Sequence, residues 1–213
     1  MEFLILPALL VVGYLLGSMS FSIMIVDRFF RKDIRDYGSG NAGMTNVLRN
    51  FGKWPAVFTF VFDFLKGAVS AALGLLLCTY VFPAVPAMLG TYAGGIGAVA
   101  GHLYPAYYHF KGGKGVTTSI AVILVISPLA AAAVFAAFLV VFLCTKMVSA
   151  ASIAGAVMFP LFMLCYHVLY RGDPWWTAAL ALVMGVTVII KHRANIVRIA
   201  TGQEYRFGQK KKA

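Results

Sequence analysis

Residues 116–144 read VTTSIAVILVISPLAAAAVFAAFLVVFLC, and the fold turns on whether this run crosses a membrane once or twice. An upright helical crossing takes about 20 apolar residues, so the run is too long for one. It is interrupted at Ser127-Pro128, and proline ends a helix at the residue before it or begins a new one. Read as one span, the run gives a chain with six crossings. Read as two, Val116–Ser127 and Pro128–Cys144, it gives seven, the first of them short.

The remaining spans are plainer: Leu4–Val26, Trp54–Phe82, Ala84–Leu103, Met147–Tyr170 and Trp175–Ile190. With 213 residues, 61% hydrophobic and only 12% charged, the chain is an integral membrane protein, read as a single domain over 1–213. Its net charge of +11 does not indicate nucleic acid, because the basic residues sit between apolar spans and no soluble domain exists to carry a groove. Cys78, Cys144 and Cys165 all lie in apolar runs, with no metal-ligand spacing. Glu2 stands where a cleaved leader would carry basic residues, so the first run reads as a permanent span.

Basic residues decide the crossing number. They cluster at Arg28–Lys53, at Lys111 and Lys114, at Lys146 and at Lys191–Lys212, while Arg171 alone occupies another loop. Seven crossings put all four clusters on the cytoplasmic face and leave Arg171 and Asp173 outside. Six would separate the basic tail from the first basic loop. The expectation is an all-α, polytopic membrane protein with seven transmembrane helices, N-terminus outside and C-terminus cytoplasmic. Trp54, Trp175 and Trp176 at span starts, with Tyr104, Tyr107 and Tyr108 beside the second loop, fit interfacial belts.

Three stretches then share one inner face. Gly38–Arg49 has three glycines, with Ser39, Asn41, Thr45 and Asn46 able to donate to phosphate oxygens and Arg49 offering a bidentate fork. Lys111-Gly112-Gly113-Lys114-Gly115 stands just before a helix start, where free N–H groups and a lysine form a phosphate site without the Walker pattern. His192, Asn195 and Arg198 fall three apart on one face of a helix leaving the last span. Weaker signals are Asp63 and Lys66, intramembrane charges that are functional candidates or a self-neutralising pair. Ser149 and Ser152 are placed to line the site or to bond their own helix backbone. His102 and His109 flank the second loop.

Taken in order, Gly-Ser-Gly-Asn-x-Gly-x-Thr-Asn-x-x-Arg, Gly-His-x-x-Pro with Phe-Lys-Gly-Gly-Lys-Gly, and His-Arg-x-Asn-Ile-x-Arg with Gly-x-Glu resemble the bacterial acyl-phosphate:glycerol-3-phosphate acyltransferase family. The resemblance also takes in Asp63-x-x-Lys66-Gly67 and Val148-Ser149-x-x-Ser152-Ile153, and it covers nearly the whole chain. It implies a seven-span enzyme of the bacterial cytoplasmic membrane, with its active site on the cytoplasmic face. The implied reaction moves a fatty acyl group from acyl phosphate to the sn-1 hydroxyl of glycerol 3-phosphate, giving lysophosphatidic acid and phosphate. Carried over, Ser39, Arg49, Lys114, His192 and Asn195 are the essential residues. Asn41, Thr45, Asn46, Lys66, Lys111, Gly112, Gly113, Gly115, Ser149 and Ser152 bind substrate, and Glu204 and Asp63 support the fold. Neither cofactor nor metal is implied. The partners are the two substrates and membrane lipid, with the soluble acyl-phosphate synthase expected from pathway logic.

The chemistry asks chiefly for cations. Two phosphorylated substrates bring up to about four negative charges together, for which Arg49, Lys114 and Lys66 are candidates. Acyl phosphate is already an activated anhydride, and neither a Gly-x-Ser-x-Gly elbow nor a His-x-x-x-x-Asp pair is present. The hydroxyl proton goes to the donor's phosphate or to His192. A phosphate or phospho-ester transporter is the rival reading, and a site wholly at one face argues against it. Asp63 is the only acidic residue within a span, which excludes a CDP-alcohol phosphotransferase with its aspartate cluster.

Overall fold

A computed structural model describes residues 2–170 and 174–208. Arg171 and Asp173, expected outside, and the basic tail Lys210–Lys212 lie beyond the described residues. The described residues form ten α-helices and no strand. These are α1 Ile5–Gly17, α2 Phe21–Phe30, α3 Met44–Phe51, α4 Lys53–Tyr80, α5 Ala87–Leu103, α6 Val116–Ile126, α7 Pro128–Thr145, α8 Val148–Tyr170, α9 Trp175–Lys191 and α10 Arg193–Ala200. Contacts divide the chain into two units, Met1–Ile126 and Ser127–Ala213.

That division falls at the dipeptide Ser127-Pro128, where α6 stops and α7 starts. The Ser127 hydroxyl accepts the Ala130 N–H at 3.2 Å, and proline fills the first helical position, where no N–H is needed. The break is therefore encoded locally.

Four helical segments are long and apolar enough to cross a bilayer: Glu2–Phe30, Lys53–Tyr80, Pro128–Thr145 and Val148–Leu169. A fifth arises if α9 and α10, bent by 59°, count as one. The two other expected crossings fall on α5 and α6, which have 17 and 11 residues and are shorter than the usual crossing.

In the first unit, α5 packs against both α1 and α4. Backbones meet directly there: a Cβ at Gly97 would strike the Leu10 carbonyl oxygen, and one at Gly94 the Ser70 carbonyl oxygen. Small residues permit such close approach where lipid supplies no hydrophobic drive between helices.

The first apolar run, expected as one helix over Leu4–Val26, is instead two helices interrupted between Gly17 and Phe21. The Ser18 and Met19 N–H groups still pair locally with Tyr14 O and Leu16 O, and the break is also tied to distant residues. Lys66 Nζ donates to the Met19 carbonyl at 2.8 Å, and the Ser18 hydroxyl accepts the Ala106 N–H at 3.2 Å.

In the second unit, α8 packs against both α7 and α9. The chain turns at His192 into α10, then returns so that the Phe207 N–H donates to the Lys146 carbonyl at 2.7 Å.

Candidate active site

The first loop owes its shape to Asn46. This buried amide donates to the carbonyls of Ile34 (3.2 Å), Tyr37 (2.8 Å) and Asn41 (3.1 Å), and its Oδ1 accepts the Ser39 N–H at 3.1 Å. The sequence suggested Asn46 as a phosphate donor. Its amide hydrogens instead go to main-chain carbonyls, because a loop that leaves the helical ladder must pair its own carbonyls. Gly38 has φ +59°, and a Cβ on it would strike Asn46 Oδ1, so only glycine closes the turn over that side chain. Ser39 is exposed, and on α3 Thr45 and Arg49 share a face four residues apart, both half-buried.

The second loop leaves the 3-10 turn Ala106–Tyr108 through two consecutive left-handed residues, His109 (φ 56°) and Phe110 (φ 59°). Such backbone is uncommon outside glycine and is held only by surrounding contacts. The Phe110 N–H donates to Pro105 O at 3.0 Å and the Gly113 N–H to His102 O at 3.0 Å. Lys111 is exposed and Lys114 half-buried, and Gly115, φ +80°, leads into α6, whose first-turn N–H groups lie beside Lys114.

Arg35 ties the two loops together. Its guanidinium pairs with Asp33 at 2.6 Å and donates to the Tyr108 carbonyl at 3.0 Å. That hydrogen-bonded guanidinium holds the Asp33 carboxyl below the usual carboxylate range.

In the second unit, Glu204 is the hub. Its Oε1 accepts from Ser149 Oγ and from Asn195 Nδ2, each at 2.8 Å, and its Oε2 accepts from Arg198 Nε at 2.8 Å. Burial alone would raise the Glu204 pKa. The hydrogen bonds from Ser149, Asn195 and Arg198, with the charge of Arg198, outweigh it and keep the carboxyl below its ordinary value. Ser152 donates to Val148 O at 2.8 Å, within its own helix. His192 is buried at the α9–α10 corner, and its Nδ1 lies 2.8 Å from the Val188 carbonyl. A carbonyl can only accept, so Nδ1 carries hydrogen, and in the neutral ring Nε2 keeps its lone pair.

A match to the glycerol-3-phosphate acyltransferase family runs over residues 7–202. The chain belongs to that family. It is 37% identical to the glycerol-3-phosphate acyltransferase of Finegoldia magna, over 98% of this chain and all of the relative. Against that of Clostridioides difficile it is 40% identical, over 94% of this chain and 95% of the relative. Among solved structures it is similar to PlsY, an integral membrane glycerol 3-phosphate acyltransferase. In its glycerol 3-phosphate form the TM-score is 0.82 at 38% identity, covering 94% of each chain. For the lysophosphatidic acid form the TM-score is 0.78 at 37% identity, again over 94% of each chain.

Within this acyltransferase, the first unit holds Ser39, Asn41, Thr45, Arg49 and the 111–115 loop, and the second gathers Ser149, Asn195 and Arg198 around Glu204 and also holds His192. Lys66, named from the sequence as a substrate ligand, is buried and paired with Asp63 at 2.7 Å. Sequence reasoning passed over Arg35, because a lone arginine in a basic stretch carries no pattern. The Asp33-x-Arg35 spacing, which forms the ion pair, was the available signal.

Proposed function

We propose that this acyltransferase uses acyl phosphate as its donor and acylates the sn-1 hydroxyl of glycerol 3-phosphate, releasing lysophosphatidic acid and phosphate. Membership of the family over residues 7–202 carries the acceptor and the product class. Three sequence motifs without a gap support the donor. The enzyme works as one domain of seven membrane-spanning helices, N-terminus outside, with its active residues on the cytoplasmic face of the bacterial inner membrane. Acyl phosphate reaches it from the soluble synthase.

In this reading Lys114, Lys111 and the glycine-shaped backbone of their loop take the acceptor's phosphate, helped by the first N–H groups of α6. Ser39, Asn41, Thr45 and the Arg49 fork hold the donor's acyl phosphate as negative charge shifts onto the leaving group. Ser149 and Asn195, each oriented by Glu204, are set to hold an oxygen-rich substrate. His192, with Nδ1 bonded to Val188, presents Nε2 as an acceptor for the attacking hydroxyl's proton. The mixed anhydride needs no covalent enzyme intermediate. The hydroxyl oxygen attacks the acyl carbon, the C–O bond to phosphate breaks, and the proton ends on His192 or on the departing phosphate.

The test is a purified-protein assay with acyl phosphate and glycerol 3-phosphate, with acyl coenzyme A as the comparison donor. Equal or better turnover with the coenzyme A ester overturns the donor assignment. A pH–rate profile that keeps its acid limb in His192→Gln assigns the proton to the donor phosphate. Loss of that limb assigns it to His192.

A further inference from the structure

One buried group is left over from that chemistry. Asp63, Lys66 and His102 have side chains 3%, 4% and 5% exposed, all within the first unit. Lys66 Nζ lies 2.7 Å from Asp63 Oδ1 and also donates to Met19 O, and the same Oδ1 faces His102 Nδ1 at 3.6 Å. An ion pair buried at this depth is not explained by stability alone, since apolar residues of similar volume commonly serve as well or better.

The arrangement has a geometric consequence for the second loop. His102 holds Gly113 twice. Its main-chain carbonyl accepts the Gly113 N–H at 3.0 Å, and its imidazole occupies the space a Gly113 Cβ would need, with Cδ2 3.0 Å from that position and Nε2 nearer still. The Ala42 carbonyl oxygen lies 2.5 Å from the same position, so the first loop closes over the other side of Gly113. On the far side of the loop, the Thr118 hydroxyl of α6 donates to the Asp63 carbonyl at 3.2 Å. The residues before and after Lys114 are thus both referenced to one turn of α4 around Asp63.

We propose that His102, beside the buried Asp63–Lys66 pair, is a positioning residue for glycerol 3-phosphate: its ring and carbonyl fix Gly113, and so Lys114, against the first loop at Ala42. The inference rests on the reading of 111–115 as the acceptor-phosphate loop. His102 touches no substrate and acts through Gly113. A fixed loop presents its N–H groups and lysine already in place, so ordering them does not weaken binding.

The experiment uses the full chain purified in detergent. Glycerol 3-phosphate affinity is read by calorimetry, both KM values and kcat by assay, and integrity by thermal unfolding. In His102→Ala, glycerol 3-phosphate Kd and KM should rise together by about tenfold, equivalent to one phosphate hydrogen bond lost from a loosened loop, with acyl-phosphate KM within about twofold. His102→Gln, which restores a planar polar group beside Gly113, should recover part of that loss. Replacing the pair by Asp63→Leu with Lys66→Met, His102 kept, should move the same two quantities in the same direction. It carries the test if His102→Ala fails to fold. Unchanged glycerol 3-phosphate Kd and KM overturn the proposal, as does a fall in kcat with both KM values constant. Wild-type protein that neither binds nor turns over glycerol 3-phosphate overturns the acceptor reading itself.

Discussion

The side-chain amide of Asn195 donates to Glu204 Oε1 at 2.8 Å. Because the nitrogen faces the carboxylate, the orientation of the amide is fixed, and Ser149 bonds the same oxygen. A glutamine in place of Glu204 cannot serve all three donors. One end of its amide is itself a donor and must face either Arg198 or the Ser149–Asn195 side. Glu204→Gln should therefore lower kcat/KM by tenfold or more, on the order of one charge-assisted hydrogen bond, with reduced thermal stability. An assay beside a melting curve checks it; wild-type values of both would show that Glu204 orients nothing.

Glu204 also predicts the direction of acid sensitivity. Its folded pKa is depressed below the unfolded value of about 4.3, so its contribution is fully present above that value and lost as pH falls through the folded pKa. Asp33, depressed by Arg35, acts in the same sense. Stability of the purified enzyme should be flat near neutrality with respect to these groups and decline below about pH 4. Melting temperature against pH is the measurement, and Glu204→Gln should blunt the decline.

Arg49→Ala should abolish turnover, and Arg49→Lys should restore little of it, because a point charge does not reproduce a planar fork with five donors. Arg49 lies on the helix face of Thr45, and in the proposed site its fork grips the acyl-phosphate donor. Near-normal activity in the lysine variant would mean that Arg49 supplies charge alone.

How much of this could be read beforehand depends on how local each cause is. The break between α6 and α7 was legible, since Ser127 and Pro128 produce it with their own hydroxyl and ring. The break at Ser18–Ser20 was not, since no proline marks it and its partners, Lys66 and Ala106, are distant in sequence. In the first loop the residue types were legible but not their division of labour. Asn41, Thr45 and Asn46 look alike as donors, and only the fold shows that Asn46 faces inward to three carbonyls. Gly38–Arg49 and Lys111–Gly115 stood out as separate loops, and nothing in the sequence showed that Arg35 and Gly113 join them.

Membrane orientation is open to a labelling test. With Cys78, Cys144 and Cys165 replaced, cysteine at the exposed Asp36 or Ala194 should react with impermeant reagent only from the cytoplasmic side, and cysteine at Gly172 only from outside. Labelling of positions 36 and 194 from opposite sides would leave a chain with an even number of crossings and break the seven-span arrangement.

The last prediction concerns Gly112 and Gly113, where two causes for glycine now compete. If the missing side chain lets phosphate approach the backbone, alanine acts on the ligand. In the structure, the space is already taken on the protein's side. A Cβ at Gly112 would strike the His102 carbonyl oxygen and come within 2.5 Å of Pro105 Cδ, and one at Gly113 would strike the His102 ring and the Ala42 carbonyl. Backbone walls cannot yield as a flexible side chain does, so either alanine should push the loop off His102. Glycerol 3-phosphate KM should rise in both variants by an amount equivalent to about 1–3 kcal/mol, with kcat largely kept, since the loss is of uniform binding. Acyl-phosphate KM should change less, because the acyl chain also holds that donor. Global melting should shift little, as the loop lies between helices rather than within one. A fall in kcat at unchanged KM would instead assign the loop to the transition state, and no change in either parameter would reduce 111–115 to an ordinary turn.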